Sequence, residues 1–319
     1  TIDNVTLICN GEIYNYQELY NLHPNIKPQT NSDCEIIIHM YLLYGMKRTL
    51  QMLDGVFAFV LHHYDYNDGN SDKMYYGRDP FGVRPLYKYE NFSEETANFY
   101  SIASELKVLS SLMGKKANNC IHPVTPGTFT KLEKPFKVHS QWKITNRDER
   151  FFSINYHPNV LRNIFPGDHA IVNACKSIYQ NLVNAVKKRV IGTTDRPVAC
   201  LLSGGLDSSL VASIVSKYVP ELHTFSIGMP GSKDLEYARV VAKHINSIHH
   251  EVTLTKDEFF NAIPNVIYNI ESYDTTSVRA SVGNYLIGRY ISTNFPHKVI
   301  FNGDGSDCLL YTSPSPRDC

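Results

Sequence analysis

No sign of charge dominates the chain: 31 lysines and arginines balance 31 aspartates and glutamates. That excludes a polybasic surface built for nucleic acid or anionic lipid. Long apolar runs are missing too, and runs such as residues 56–61 fall far short of the roughly 20 residues needed to cross a bilayer. No charged-then-apolar leader follows Thr1, so no secretory signal is expected. Seven cysteines (Cys9, Cys34, Cys120, Cys175, Cys200, Cys308 and Cys319) show no CxxC spacing. Their scatter argues against a zinc site or a disulfide framework, and for reduced thiols in a cytoplasmic protein. Two adjacent pairs, His62/His63 and His249/His250, would point to opposite faces of a strand and are expected to be ordinary packing residues. Also absent are internal repeats and the P-loop spelling GxxxxGK[ST].

What is present suits two ordinary soluble domains: 319 residues, 43% hydrophobic and 19% charged. Residues 5–10, 56–62, 73–78 and 99–103 read as strands and 34–44 as a helix, which predicts a layered α+β domain over residues 1–143. Residues 144–170 lack sustained periodicity and are expected to be a linker. From Ile171 the pattern changes, with helical spacing at Ile171, Ala174, Ile178, Leu182, Ala185 and Val186. Strands at 198–202, 222–227 and 250–254 then alternate with helices at 208–218 and 235–244, which predicts βαβ units on a parallel sheet over residues 171–307.

The strongest motif is SGGLDSS at 203–209, between a buried strand and a helix. Gly204 and Gly205 allow close backbone approach, and free amides at the helix start form an anion site. Ser203 and Ser208 add hydroxyls. Asp207 beside phosphates calls for a divalent cation such as Mg²⁺. An N-capped helix after a glycine turn is the plainer alternative. The spelling resembles the PP-loop of ATP pyrophosphatases, which implies ATP cleaved to AMP and pyrophosphate.

Residues 302–307, NGDGSD, again follow an apolar strand, where a ligand crevice opens in an α/β sheet. Alone this is an acidic turn or a site. Beside SGGLDSS it resembles the SGEGSDE motif of the asparagine synthetase family. Asn302 stands where that family has serine, and Asp304 where it has the glutamate used in forming the acyl-adenylate. By the same resemblance Gly303 joins the ATP site and Asp307 joins Asp207 on the metal. YDTTSVRAS at 273–281 is similar to the family's YDVTTIRAS, which places Thr276, Ser277 and Arg279 on the aspartate and gives Arg279 a catalytic part. An arginine suits a carboxylate because it binds it bidentately. Leu202 and Ile227 would line the adenine pocket.

In the first domain, NGEIYN at 10–15 offers the Asn10 amide and the Gly11 N–H as an oxyanion hole. Asp33, in SDCE at 32–35, reads alone as a helix cap. GRDPFGVRPLY at 77–87, with ASELK at 103–107 and TPGT at 125–128, resembles the class II glutamine amidotransferases. That resemblance implies glutamine held by Asn10, Gly11, Glu12 and Asp33. GRDPFGVRPLY itself is expected to be scaffold, with Arg78 and Asp79 pairing.

The resemblance therefore implies an α+β Ntn-hydrolase (αββα sandwich) domain followed by an α/β PP-loop domain of the adenine nucleotide alpha hydrolase kind. Its substrates would be glutamine, aspartate and ATP with Mg²⁺, with no nucleic-acid or membrane partner; oligomeric state is not legible. Class II amidotransferases use an N-terminal cysteine as nucleophile. NGEIYN begins only ten residues in from Thr1, whereas the family places several dozen residues before it, and Cys9 and Cys34 lie inside the chain without a free amine. The nucleophile is thus expected to lie outside this sequence, and the chain by itself to be inactive. Residues 308–319 resemble a translated sequencing adapter rather than natural sequence. The alternatives are a β-lactam synthetase-like or ammonia-dependent relative, and a catalytically dead nucleotide-binding one.

Overall fold

The computed structural model describes residues 1–64, 71–91, 99–114, 120–136, 140–153, 168–193 and 196–304. The chain divides into two units, Thr1–Asn163 and Ile164–Cys319.

The first unit runs β1 (Val5–Ile13), α1 (Tyr16–Leu22), a 3₁₀ turn (Asp33–Glu35), α2 (Ile36–Met52), β2 (Gly55–His63), β3 (Ser71–Arg78), β4 (Tyr87–Asn91), β5 (Phe99–Ala103), α3 (Leu106–Met113), β6 (Ile121–Pro123), β7 (Thr128–Pro135) and β8 (Lys143–Arg150). Strands β1-β2-β3-β7-β8 form one antiparallel sheet, and β5-β4-β6 a second. Alternation along the strands divides the core into two layers. Val5, Ile13, Phe57, Phe59, Leu61 and Tyr75 meet Leu19 of α1 and Ile36, Ile37, Met40 and Leu50 of α2. The opposite face sends Ala58, Tyr76 and Leu132 against Leu86 and Val124, with Ile102 of the second sheet packed alongside. Helices, sheet and sheet are therefore stacked in that order. The helix foreseen at 34–44 runs on to Met52 across a break at Gly45 (φ 72°).

The segment expected as a linker is not all irregular. Lys143–Arg150 is the edge strand β8, paired with β7 through register shifts around Lys131. Its residues KITNRDER are mostly polar, and each is exposed or only partly buried. Only Ile144 reaches the core, so no period-two apolar signal survives.

The second unit runs α4 (Asp168–Gly192), β9 (Val198–Leu201), α5 (Leu206–Val215), β10 (His223–Gly228), α6 (Lys233–His244), β11 (Ile248–Thr253), α7 (Lys256–Ile270), α8 (Thr275–Asn294) and β12 (Val299–Phe301). The sheet is parallel, in the order β11-β10-β9-β12. Val198, Cys200 and Leu202 pack on Val186 and Val190 of α4, Ala212 and Val215 of α5, and Ala238 and Ala242 of α6. Ala199 and Phe225 face the other way, onto Ile287 and Ile291 of α8. Helix α7 packs on α8 through Ala262, Val266, Val278 and Val282. A parallel sheet covered on both faces follows from the crossover helices. Among the described residues no helix is long and apolar enough to cross a membrane.

The adjacent histidines do point apart. His63 bonds Tyr41 of α2 while His62 meets Trp142. His249 bonds Thr224 and Ser226, whereas His250 stacks on Phe225 and bonds His223.

Candidate functional site

In the second unit the predicted residues gather where the sheet's strands end. Leu202, buried at 1% exposure, closes β9 and is followed by the glycine turn. Gly204 has φ +80°, a left-handed conformation that glycine adopts at no steric cost, and a Cβ there would lie 2.5 Å from Tyr237 Cβ. Gly205 is the extended N-cap of α5. Hydroxyls hold the turn: Ser203 and Ser208 share a 2.9 Å hydrogen bond, and the Gly205 N–H donates to Ser203 Oγ at 3.3 Å. Asp207 stands in the first turn of α5. The first amides of any helix lack intrahelical acceptors, so this end of α5 presents N–H donors and a positive dipole. Ser209 Oγ is buried with no protein partner.

The turn after β12 lies directly against this helix end. A Cβ on Gly303 would stand 2.6 Å from Ser208 N and 2.9 Å from the Asp207 carbonyl carbon. Two motifs about a hundred residues apart are thereby brought into van der Waals contact. Asp304 Oδ2 accepts from Asn302 Nδ2 at 2.8 Å and from Asn284 Nδ2 at 3.2 Å. Asn284 belongs to α8, seven residues after Ser277 and so on the same helix face. Sequence reasoning missed it; the i, i+7 spacing was the available signal. Helix α8 also passes the adenine-pocket candidate, since a Cβ on Gly283 would lie 3.8 Å from Ile227 Cγ2.

Thr276, Ser277 and Arg279 sit in the first turns of α8 and are exposed. Ser277 is already engaged in capping the helix, since its N–H and its hydroxyl both donate to Asp274 Oδ2 at 2.8 Å. Those bonds hold the Asp274 carboxyl below its ordinary range. Asp307 lies outside the described residues, and among the described residues no three acidic, histidine or cysteine side chains converge on one point for a metal.

In the first unit β1 is the free edge of its sheet. Asp33 Oδ2 accepts the Ile13 N–H at 2.5 Å, and the Cys34 thiol lies 3.8 Å from the Gly11 carbonyl oxygen. Odd-numbered residues of β1 thus aim their backbone groups off the sheet, so the Gly11 N–H points the same way. Asn10 Nδ2 donates to Ser104 Oγ at 3.4 Å. Glu12 is half-buried on the same strand. Beside this edge is a cavity of about 370 Å³ lined by Leu7, Cys9, Gly11, Gln29, Asp33 and Cys34 among others. Glu35 shapes its wall from behind: the buried carboxylate accepts the N–H groups of Gln29 and Thr30 and a bond with His39. Burial opposes its ionisation, but these hydrogen bonds prevail and bring its pKa to about 2.

GRDPFGVRPLY is scaffold, though Arg78 and Asp79 do not pair. The Arg78 guanidinium donates to the carbonyls of Gly82, Arg84 and Val124. Asp79, 1% exposed, accepts the N–H groups of Phe57, Phe81, Val83 and Arg84. Arg78 ends β3 and Asp79 opens the loop beyond it, and each finds backbone partners of its own. A separate cavity of about 480 Å³ between α7, α8 and β11 is lined by none of the predicted site residues.

The two halves match two family profiles: a glutamine amidotransferase domain over residues 1–131, and asparagine synthase over residues 177–317. Along both halves the chain is therefore similar to asparagine synthetases. The glutamine-hydrolysing asparagine synthetase of Bos taurus is 42% identical over 327 residues, and that of Homo sapiens 41% over 328. Each match takes in 98% of this chain but 56% of the relative, so the chain spans little more than half the length of these relatives. Among solved structures, glutamine-dependent NAD⁺ synthetase from Acinetobacter baumannii is 16% identical, covering 71% of this chain and 38% of its own, with a TM-score of 0.33.

Proposed function

We propose that this chain is the glutamine-binding and ATP-binding part of a cytoplasmic enzyme that converts aspartate, glutamine and ATP into asparagine, glutamate, AMP and pyrophosphate. The observation that supports the reading is the contact of Gly303 with the start of α5, a helix end whose free amides suit an anion and which Asp304 follows directly in the chain. The first unit, in helix–sheet–sheet order, reads as an Ntn-hydrolase layer structure. There Asp33 and Glu12 would hold the amino-acid end of glutamine, while Asn10 and Gly11 donate to the oxyanion formed as its amide is cleaved.

In the second unit the Ser203, Ser208 and α5 amides would take the β- and γ-phosphates, with adenine between Leu202 and Ile227. Ser209 Oγ, buried without a partner, fits a further phosphate oxygen. Asp207 suits a Mg²⁺ ion that draws its other oxygen ligands from phosphates and water; bound there, the ion would neutralise departing pyrophosphate. Arg279 and Thr276 would orient aspartate, and Asp304 the acyl-adenylate that ammonia attacks. Ser277 would act through the α8 cap, keeping Thr276 and Arg279 at the open end of the helix.

The test is transfer of label in the complete gene product. Glutamine carrying ¹⁵N in its amide should yield asparagine with ¹⁵N in its amide, one AMP being formed per asparagine. Formation of ADP, or of AMP without labelled asparagine, would refute the proposal.

A further inference from the structure

Cys9 and Cys34 are distant in sequence, yet both line the cavity beside β1. Cys9 shares the strand face of Gly11 and is half-buried; Cys34, on the 3₁₀ turn, is buried. The Cys34 sulfur lies 3.8 Å from the Gly11 carbonyl oxygen and 3.7 Å from Asp33 Oδ2. The two residues border one cavity from adjoining elements, Cys9 standing two residues from the Gly11 carbonyl that the Cys34 thiol reaches. Both are free. A bridge needs only that the two sulfurs swing together across this space.

We propose that Cys9 and Cys34 are a reversible oxidation site, closed to a disulfide by hydrogen peroxide. Cys9, the more open of the two, attacks the peroxide and becomes a sulfenic acid, releasing one water. Cys34 sulfur then attacks Cys9 sulfur: the S–S bond forms, the S–O bond breaks, and the thiol proton leaves with hydroxide as a second water. Two thiols and one peroxide give one disulfide and two waters. Contact with Cys9, burial and the neighbouring Asp33 charge all push the Cys34 thiol up. It therefore stays protonated and unreactive until Cys9 has been oxidised.

The bridge would tether the turn carrying Asp33 to the strand whose Ile13 N–H it holds. Resting on the glutamine reading of this cavity, oxidation should weaken amino-acid binding there.

The chain is treated with a few equivalents of peroxide, its remaining thiols are alkylated under denaturing conditions, and it is digested for mass spectrometry. The expected product is a Cys9–Cys34 linked peptide, lost on dithiothreitol treatment and absent from Cys9→Ser, whose circular dichroism should match the parent. Cys9 found as sulfinic acid with Cys34 alkylated would overturn the proposal. Glutamate, the product of glutamine cleavage, is then titrated by calorimetry and should bind at least fivefold more weakly to the bridged chain. Equal affinities would overturn the effect on Asp33. No binding in the reduced state would overturn the glutamine reading, while the linked peptide, read by mass alone, would still establish the bridge.

Discussion

Asp79 offers the sharpest test of what holds the first unit together. Each carboxylate oxygen serves two amides: Oδ1 accepts from Phe81 and Val83 at 3.0 Å, and Oδ2 from Phe57 at 3.3 Å and Arg84 at 3.0 Å. Asp79→Asn keeps the shape but turns one oxygen into an NH₂ donor facing two other donors. Two charge-assisted bonds are lost, at about 1.5–3 kcal/mol each, in a side chain with almost no access to water. Water can reach the exposed Val83 end of the loop, so the lower part of the range applies and about 3 kcal/mol is expected. Asp79→Ala removes all four acceptor contacts and should be at least as damaging. The single tryptophan, Trp142, packs edge-on to His62 within this unit, and its fluorescence can follow urea unfolding. With a slope of about 2 kcal/mol per molar urea, Asp79→Asn should lower the midpoint by roughly 1.5 M. Glu149→Gln is the control, because its ion pair with the exposed Lys47 should contribute under about 1 kcal/mol. An Asp79→Asn midpoint no lower than that of Glu149→Gln would refute the argument.

Gly303→Ala places a methyl 2.6 Å from Ser208 N. The turn at residues 302–304 must then lift off α5, so Mg-ATP affinity measured by calorimetry should fall at least tenfold while the thermal midpoint moves by a few degrees. Unchanged affinity would detach this turn from the nucleotide site. His250 and His297 are both held below their ordinary pKa, first by burial and then by the neighbouring His223. Their folded-state pKa values lie below the unfolded value of about 6.5, so the unfolded chain binds protons first as pH falls. The second unit should therefore be fully stable above about pH 6.5 and lose stability below it; a pH-independent urea midpoint from pH 7 to 5 would contradict this.

What could be read beforehand was mostly what backbone geometry demands. Gly204 and Gly303 occupy positions that no side chain fits, one by its φ and the other by close approach, so their motifs announce the site locally. Strand β8 was hidden because an edge strand needs only one inward residue, and Ile144 alone makes no pattern. Tertiary crossings stayed hidden for a different reason. His223 on β10, His250 on β11 and His297 ahead of β12 are far apart in sequence, yet the rings of His250 and His297 lie 5.1 and 4.6 Å from that of His223. Asn284 bonds Asp304 across the fold, and its i, i+7 spacing from Ser277 marks the helix face but not the partner.

The misreading of Arg78 and Asp79 shows where adjacency misleads. Opposite charges side by side suggest a pair, but at the end of a strand each can turn to other partners, and a buried charge such as Asp79 must find some. Both found backbone: three carbonyls for the guanidinium and four amides for the carboxylate. A loop whose peptide groups supply most of the partners of a buried carboxylate and a half-buried guanidinium is held at several points. That constraint comes from the fold of the loop itself, for GRDPFGVRPLY contributes none of the proposed glutamine contacts. Those are proposed on β1 and the 3₁₀ turn, where Asp33 and Cys34 already meet the backbone of the sheet edge.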